Sequence, residues 1–304
     1  MTSADANQPH AGTAATGLEE GSGQRQIQGV AIVTTSPTVT SRPAKVTGSA
    51  ASSLRPALAF LRLEILRVVR NRRYLLLTIG FPLFFYLMYT RILPASGLGW
   101  IDGMPWSAYF MIGMGVFGSV GASFSVGGQR LSAERASGWT RQLRITPLSP
   151  AAYVLAKVAT ALIVTLPALL VIALAGVAAD GVTLAPGSWL TVVVLLWVGS
   201  LPIAALGLAL GLLLDADTAQ PGVTATYIGL AFLGGLFQPA QSMPSALQQL
   251  AHALPLFHLA DLGWRAAAGR SLDPDDLLIL LGYAIVLFAT VAWLYRRDTS
   301  QEHG

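Results

Sequence analysis

Six stretches of this chain approach the length of a membrane-crossing helix and are almost empty of charge. They are Tyr74–Leu93, Trp106–Gly128, Ala152–Ala179, Trp189–Leu214, Pro221–Pro239 and Leu277–Tyr295. An α-helix rises about 1.5 Å per residue, so an apolar run of about 20 residues crosses a hydrocarbon core. The third stretch has a single charge, Lys157 near its start, and the fifth is short and glycine-rich. Composition agrees: only 11% of the 304 residues are charged and 53% are hydrophobic, whereas a soluble domain carries about 25% charged residues. The expected fold class is an all-α integral membrane protein with six transmembrane helices. The composition rules out disorder as the overall state and argues against a soluble enzyme. With no cysteine, a disulfide framework, thiolate-bound zinc and iron–sulfur clusters are excluded.

The net charge is +4, but in so apolar a chain the position of each basic residue is more informative than their sum. One set of loops carries Arg62, Arg67, Arg70, Arg72 and Arg73, then Arg130, Arg135, Arg141 and Arg144, then Arg296 and Arg297. The opposite set has Arg91, Arg265 and Arg270, diluted by Asp102, Asp180, Asp261, Asp273, Asp275 and Asp276. The asymmetry places both termini in the cytoplasm of a cell whose plasma membrane the chain spans. The partner it implies is a lipid bilayer; nucleic acid is not expected.

Residues 1–53 lack a sustained apolar period and read as a disordered cytoplasmic tail. They also lack the basic start and continuous apolar core of a signal peptide. Residues 54–297 form the membrane domain, and 298–304 a second short tail. At the start of that domain, Arg55–Arg73 is a basic amphipathic helix. Leu58, Leu61, Ile65, Val68 and Val69 share one face, with Glu64, Arg67, Arg70 and Asn71 opposite and Arg62 off the pattern. Such a helix fits the headgroup layer, its arginines facing anionic lipid. Residues 129–151 form the substantial cytoplasmic connection, and 240–274 the substantial outer one. The latter is broken by Pro244, Pro255 and Gly269 into two short amphipathic helices before the last span.

The missing chemistry narrows function further. The two lysines, Lys45 and Lys157, are each followed by Val, so the Gly-Lys-Ser/Thr of a P-loop is absent. No cofactor is expected on this chain. From Thr218 to Ala260 there is no Asp, Glu, Lys or Arg, and ion-coupled carriers place ionisable groups at membrane depth. Lys157, Asp215 and Asp276 sit near span ends, where side chains can snorkel. His252 and His258, six residues apart, read as interfacial histidines rather than metal ligands. Asp273, Asp275 and Asp276 read as the acidic start of the last helix. Gly207 and Gly211 form a G-x-x-x-G pair suited to close helix packing, though 31 glycines make coincidence a rival explanation. Pro82, Pro167 and Pro202 lie inside spans and are candidate kinks.

The most specific stretch is Glu134-Arg-Ala-Ser-Gly138-Trp-Thr-Arg-Gln-Leu143-Arg-Ile-Thr-Pro147-Leu-Ser-Pro150, continuing to Tyr153 and Lys157. It resembles the loop between spans two and three of ABC type 2 exporter permeases, with Trp139 intervening between Gly138 and Thr140. The basic helix before the first span and the outer segment Pro239–Gly269 resemble that family's corresponding parts, so the likeness covers residues 55–297. The resemblance implies a loop that docks into a separate ABC ATPase subunit, which holds the ATP and magnesium. Glu134, Arg135, Gly138, Arg141, Arg144 and Pro147 would carry the coupling. The three arginines would meet carboxylates of the ATPase, and Glu134 would hold a local arginine or cap a helix. Alternatively, these arginines anchor the loop to headgroups and set topology. The family also implies a second copy of the chain or a related permease, no catalytic activity in this chain, and export of an amphipathic small molecule, drug, antibiotic or lipid-like compound. A membrane anchor without a transport cycle and an ion-coupled carrier are the competing readings.

Overall fold

The computed structural model describes residues 50–92, 99–139 and 150–301, and they are nearly all helical. Helix α1 (Ala50–Arg70) is followed by α2 (Arg72–Ile92), a two-residue-per-strand hairpin of β1 (Trp100–Ile101) and β2 (Met104–Pro105), and α3 (Trp106–Phe124). A π-helical turn, Ser125–Gln129, joins α3 to α4 (Arg130–Ala136). Then come α5 (Pro150–Asp180), α6 (Pro186–Gly199), α7 (Leu201–Leu213) and α8 (Ala216–Leu233). The chain ends with α9 (Ser245–His252), α10 (Pro255–Ala267) and α11 (Pro274–Gln301).

Among the described residues, five helical segments are long and apolar enough to cross a membrane: Arg72–Arg91, Trp106–Ala136, Ala151–Asp180, Pro186–Leu213 and Pro274–Arg297. The second expected span therefore runs past Gly128 through the π turn into α4, and the first part of the expected cytoplasmic loop is helix. The fourth changes helix at Ser200. The stretch expected as the fifth span is α8, 18 residues long, which begins with Asp217, Thr218, Gln220 and Pro221 and stops at Leu233.

Local chemistry sets the boundaries. Asn71 separates α1 from α2 and its Oδ1 accepts the Tyr74 N–H at 3.1 Å, a helix N-cap. The hairpin turns on Asp102 (φ 50°) and Gly103 (φ 81°), the positive-φ pair that two-residue hairpin loops need. Helix α4 ends with Gly138 at φ 71°, where its N–H bonds the Arg135 carbonyl at 3.1 Å.

Helix α3 is the central post, buried along almost its whole length. It packs on α5, α2, α7 and α10, and Trp106, Tyr109, Phe110 and Phe117 stack with Tyr89, Trp264 and Tyr227 around it. Helices α2 and α11 are outer members: Leu76, Leu77 and Phe84 on one, Leu278, Ile285 and Val286 on the other, are exposed. For a bundle in lipid these are the faces that meet acyl chains. Both short helices expected before the last span are present. The second, α10, is no surface element: it is buried among α6, α11 and α3.

Helix α7 approaches α3 at backbone contact distance. A Cβ on Gly211 would stand 2.3 Å from the Gly127 carbonyl oxygen and 2.8 Å from that of Gly128; one on Gly207 would stand 3.2 Å from Phe124 Cα. The G-x-x-x-G pair thus lies against the π turn, where a Cβ on Gly127 would in turn stand 2.8 Å from the Leu208 amide nitrogen. Small residues permit this approach, and the extra backbone of the π turn fills the space they leave.

Candidate coupling site

Between residues 54 and 297 the sequence has one lysine and two glutamates. All three meet. Lys157 Nζ donates to Glu64 Oε2 at 2.8 Å and to Glu134 Oε1 at 2.6 Å. Tyr153, one turn before Lys157 on α5, donates its hydroxyl to Glu134 Oε2 at 2.8 Å. Glu64 and Lys157 are essentially inaccessible, at 1% and 0% side-chain exposure, and Glu134 is 15% exposed. Arg67 adds a 3.3 Å bond to Glu64 Oε1 and lies over the Trp139 ring at 4.7 Å. Two cations therefore match two carboxylates, the condition under which ionised groups tolerate burial.

Each partner comes from a different element, and that makes the cluster a joint. Glu64 is on α1, Glu134 on α4 and Lys157 on α5, two turns into the helix. Phe60, Glu64 and Val68, spaced by four, form the buried stripe of α1, while Leu58 and Val69 from the expected apolar face are exposed. The placement of Glu64 on the solvated face is therefore corrected: it points into the protein because Lys157 is there to receive it. Lys157 likewise does not snorkel. Its ammonium also lies 5.6 Å from the Tyr153 ring and 5.9 Å from the Phe60 ring, contacts that favour a cation in an apolar setting.

Helix α4 is fastened on its other side as well. Arg135 Nη1 donates to the carbonyls of Leu212 at 2.8 Å and Gly211 at 3.3 Å, and Ser132 Oγ donates to the Leu214 carbonyl at 2.9 Å. These are the last carbonyls of α7, which lack partners within the helix, and a guanidinium there also opposes the helix dipole. Of the residues expected to couple the chain to a partner, Glu134, Arg135 and Gly138 are brought together around α4. Arg141, Arg144 and Pro147 lie outside the described residues, as does the tail over 1–49. On α1, Arg67 joins the cluster, while Arg62 and Arg70 are exposed.

A cavity of about 300 Å³ opens between α2, α3 and α8. Its walls combine Tyr74, Phe81, Phe124 and Tyr227 with Thr78, Ser125, Gln129, Gln220 and Thr224, and no charged side chain lines it. Gln129 and Thr224 bond across it at 3.3 Å.

A second polar cluster occupies the opposite end of the bundle. His258 on α10 holds Asp276 of α11 at 2.6 Å through Nδ1 and the His252 carbonyl at 2.8 Å through Nε2. Arg265 binds Asp261 and, at 3.2 Å, Asp273. His258 is buried, so its expected place at a water interface is corrected. Asp276 pairs with it rather than serving only the helix dipole or snorkelling. Asp273 does start α11, accepting the Asp275 N–H at 3.1 Å. Arg91 at this end is likewise engaged, with the Ala179 carbonyl and Asp180. Among the described residues no cluster of His, Asp and Glu could hold a metal ion.

Residues 102–294 match the family described as ABC-2 family transporter protein. In Bacillus subtilis (strain 168), the protein named "Putative transport permease YvfS" is 30% identical over 235 residues, covering 77% of this chain and 95% of that relative. The family match takes in Glu134 and Lys157 of the joint and the His258–Asp276 pair at the opposite end. With its apolar helices and this likeness along most of its length, the chain is a multi-pass membrane protein belonging to the ABC-2 transporter family.

Proposed function

We propose that this chain is the membrane-spanning subunit of an ATP-driven exporter, working with a separate ABC ATPase and a second permease copy in the plasma membrane. The observation that carries this reading is the joint at Lys157. It ties the helix after the second span, the third span and the basic helix α1 to one buried cation, so a push on α4 reaches all three. With no P-loop in the sequence, that push comes from a partner that binds ATP and magnesium. The coupling surface is formed by Glu134, Arg135, Gly138, Arg141, Arg144 and Pro147. Of these, Glu134 bonds Lys157 and Arg135 the end of α7, and the role assigned to Arg141 and Arg144 is to meet carboxylates of the ATPase.

In this reading α8 is the fifth of six spans, and the end carrying α4 is cytoplasmic, as are both termini. Its arginines outnumber its carboxylates, whereas Arg91 and Arg265 at the other end are paired with aspartates. The cavity between α2, α3 and α8 lies on the substrate path. Its aromatic and amide walls suit an amphipathic, uncharged compound of the drug, antibiotic or lipid-like class.

Reversal of Arg135 and Arg141 to glutamate tests the coupling role. The permease is expected to insert, and its co-purified ATPase to hydrolyse ATP, while export of the substrate falls to background. Export at the native rate by this double variant, or failure of the native permease to co-purify with any Walker-containing ATPase, contradicts the reading.

A further inference from the structure

Both ring nitrogens of His258 face oxygens that accept hydrogen bonds: an Asp276 carboxylate oxygen and the His252 carbonyl. A neutral imidazole has one N–H and can satisfy only one of them, whereas an imidazolium donates to both. The pair is buried, at 7% and 9% side-chain exposure, where an unmet acceptor is expensive. It joins the inserted helix α10 to the start of α11, beside the ion pairs of Arg265 with Asp273 and Asp276.

We propose that His258 and Asp276 form a proton-dependent latch that keeps α10 seated among α3, α6 and α11. The groups facing the latch are few. From α10 they are Asp261 and Arg265, from the linker before α11 Asp273, and from α9 the His252 carbonyl, its ring lying against Phe257 at 4.3 Å. The Asp276 oxygen turned away from His258 is buried and 3.9 Å from Arg265. Tyr283 of α11 donates to the Ala253 carbonyl at 2.5 Å. Helices α6 and α7 contribute no charged residue, and α3 only Tyr109, stacked on Trp264. With His258 protonated, two cations stand among three carboxylates; without its proton, one does.

The bond to Asp276 raises the His258 pKa above its ordinary 6.5, against the opposing effect of burial. A group whose folded pKa is raised contributes its full stabilisation below the unfolded value and loses it as pH climbs through the folded one. The latch is therefore tightest below the ordinary histidine value and loosens as pH climbs from there through the folded one. If the exporter reading holds, the seat of α10 closes the outer end of the path, since Leu256 packs on Gly234 at the end of α8.

The chain has no cysteine, so one can be placed as a reporter. Ala260→Cys puts a thiol at a fully buried position of α10, and Ser271→Cys, at an exposed one, corrects for thiol ionisation. In nanodiscs, the ratio of their labelling rates is expected to be low and constant below the ordinary histidine value of 6.5, to rise by up to about tenfold per pH unit above it, and to level off once pH passes the folded value. His258→Gln is expected to give a high ratio that no longer changes with pH, and Asp276→Asn a high ratio at neutral pH. A flat ratio from pH 6 to 10 with His258 present, or the same pH response in His258→Gln, overturns the latch. The first of these needs no latch mutation, and neither readout involves transport, so failure of the latch is distinct from failure of the exporter reading.

Discussion

Lys157→Met is expected to be the most damaging single substitution in the membrane domain, lowering stability by about 3–5 kcal/mol because it leaves two buried carboxylates without their cation. Arg67 can still reach Glu64 but bonds only its other oxygen, and Glu134 keeps only the Tyr153 hydroxyl. The loss is measured as a fall in the melting temperature of the detergent-solubilised protein. The triple variant Lys157→Met, Glu64→Gln, Glu134→Gln removes the charges together, and most of the lost stability is expected to return. Hydrogen-bonded neutral groups of similar size can replace an ion cluster at little cost. Export is not expected to return with it. If the joint transmits force through its rigidity, restoring the fold without the ionic tie leaves ATP hydrolysis running while transport stays low. Full export by the triple variant would mean that the three residues serve folding alone.

The second large effect is expected at Gly211. An added Cβ meets the backbone carbonyl of Gly127 at 2.3 Å and that of Gly128 at 2.8 Å, and backbone cannot swing aside as a long side chain can. Gly211→Ala should therefore reach or exceed the top of the about 1–3 kcal/mol range for overpacking, by forcing α7 away from the π turn. Gly282→Ala on α11 provides the opposite case. Nothing lies within 4 Å of its added carbon, and helix propensity alone predicts a gain of roughly 0.5–1 kcal/mol. Thermal unfolding of the two variants should move in opposite directions. Equal effects would show that α7 is not seated at this distance.

Much of the fold was legible because lipid imposes simple rules. Long apolar runs marked the spans, and Pro244, Pro255 and Gly269 marked the pieces of the outer segment. Signals for smaller features were present too: Asn71 as a cap between two helices, and Asp102-Gly103 as a hairpin turn. The joint was not legible because no member pointed to another when taken alone: Glu64 read as part of a solvated face, Lys157 as a snorkelling cation, and Glu134 as the holder of a local arginine or a helix cap. Glu64 lies 93 residues from Lys157, and helical spacing within α1 cannot say that a cation waits on α5. One signal was available: a single lysine and two glutamates in so apolar a domain have few partners except one another. His258 and Asp276 escaped notice for the same reason, being 18 residues apart on separate helices. The depth of α10 could not be read either. Its pattern is amphipathic, but its polar side meets Asp276 and Asp273 rather than solvent.

The central claim, that this permease draws its work from a partner's ATP through the Lys157 joint, is tested most directly in inside-out membrane vesicles. These would carry the permease with its co-purified ATPase, and accumulation of a fluorescent amphipathic probe would be followed. The account predicts that ATP drives accumulation and that a proton or sodium gradient without ATP does not. It also predicts that Glu134→Gln reduces accumulation far more than it reduces ATP hydrolysis. Accumulation driven by an ion gradient alone, or ATP-driven accumulation untouched by Glu134→Gln, would contradict it.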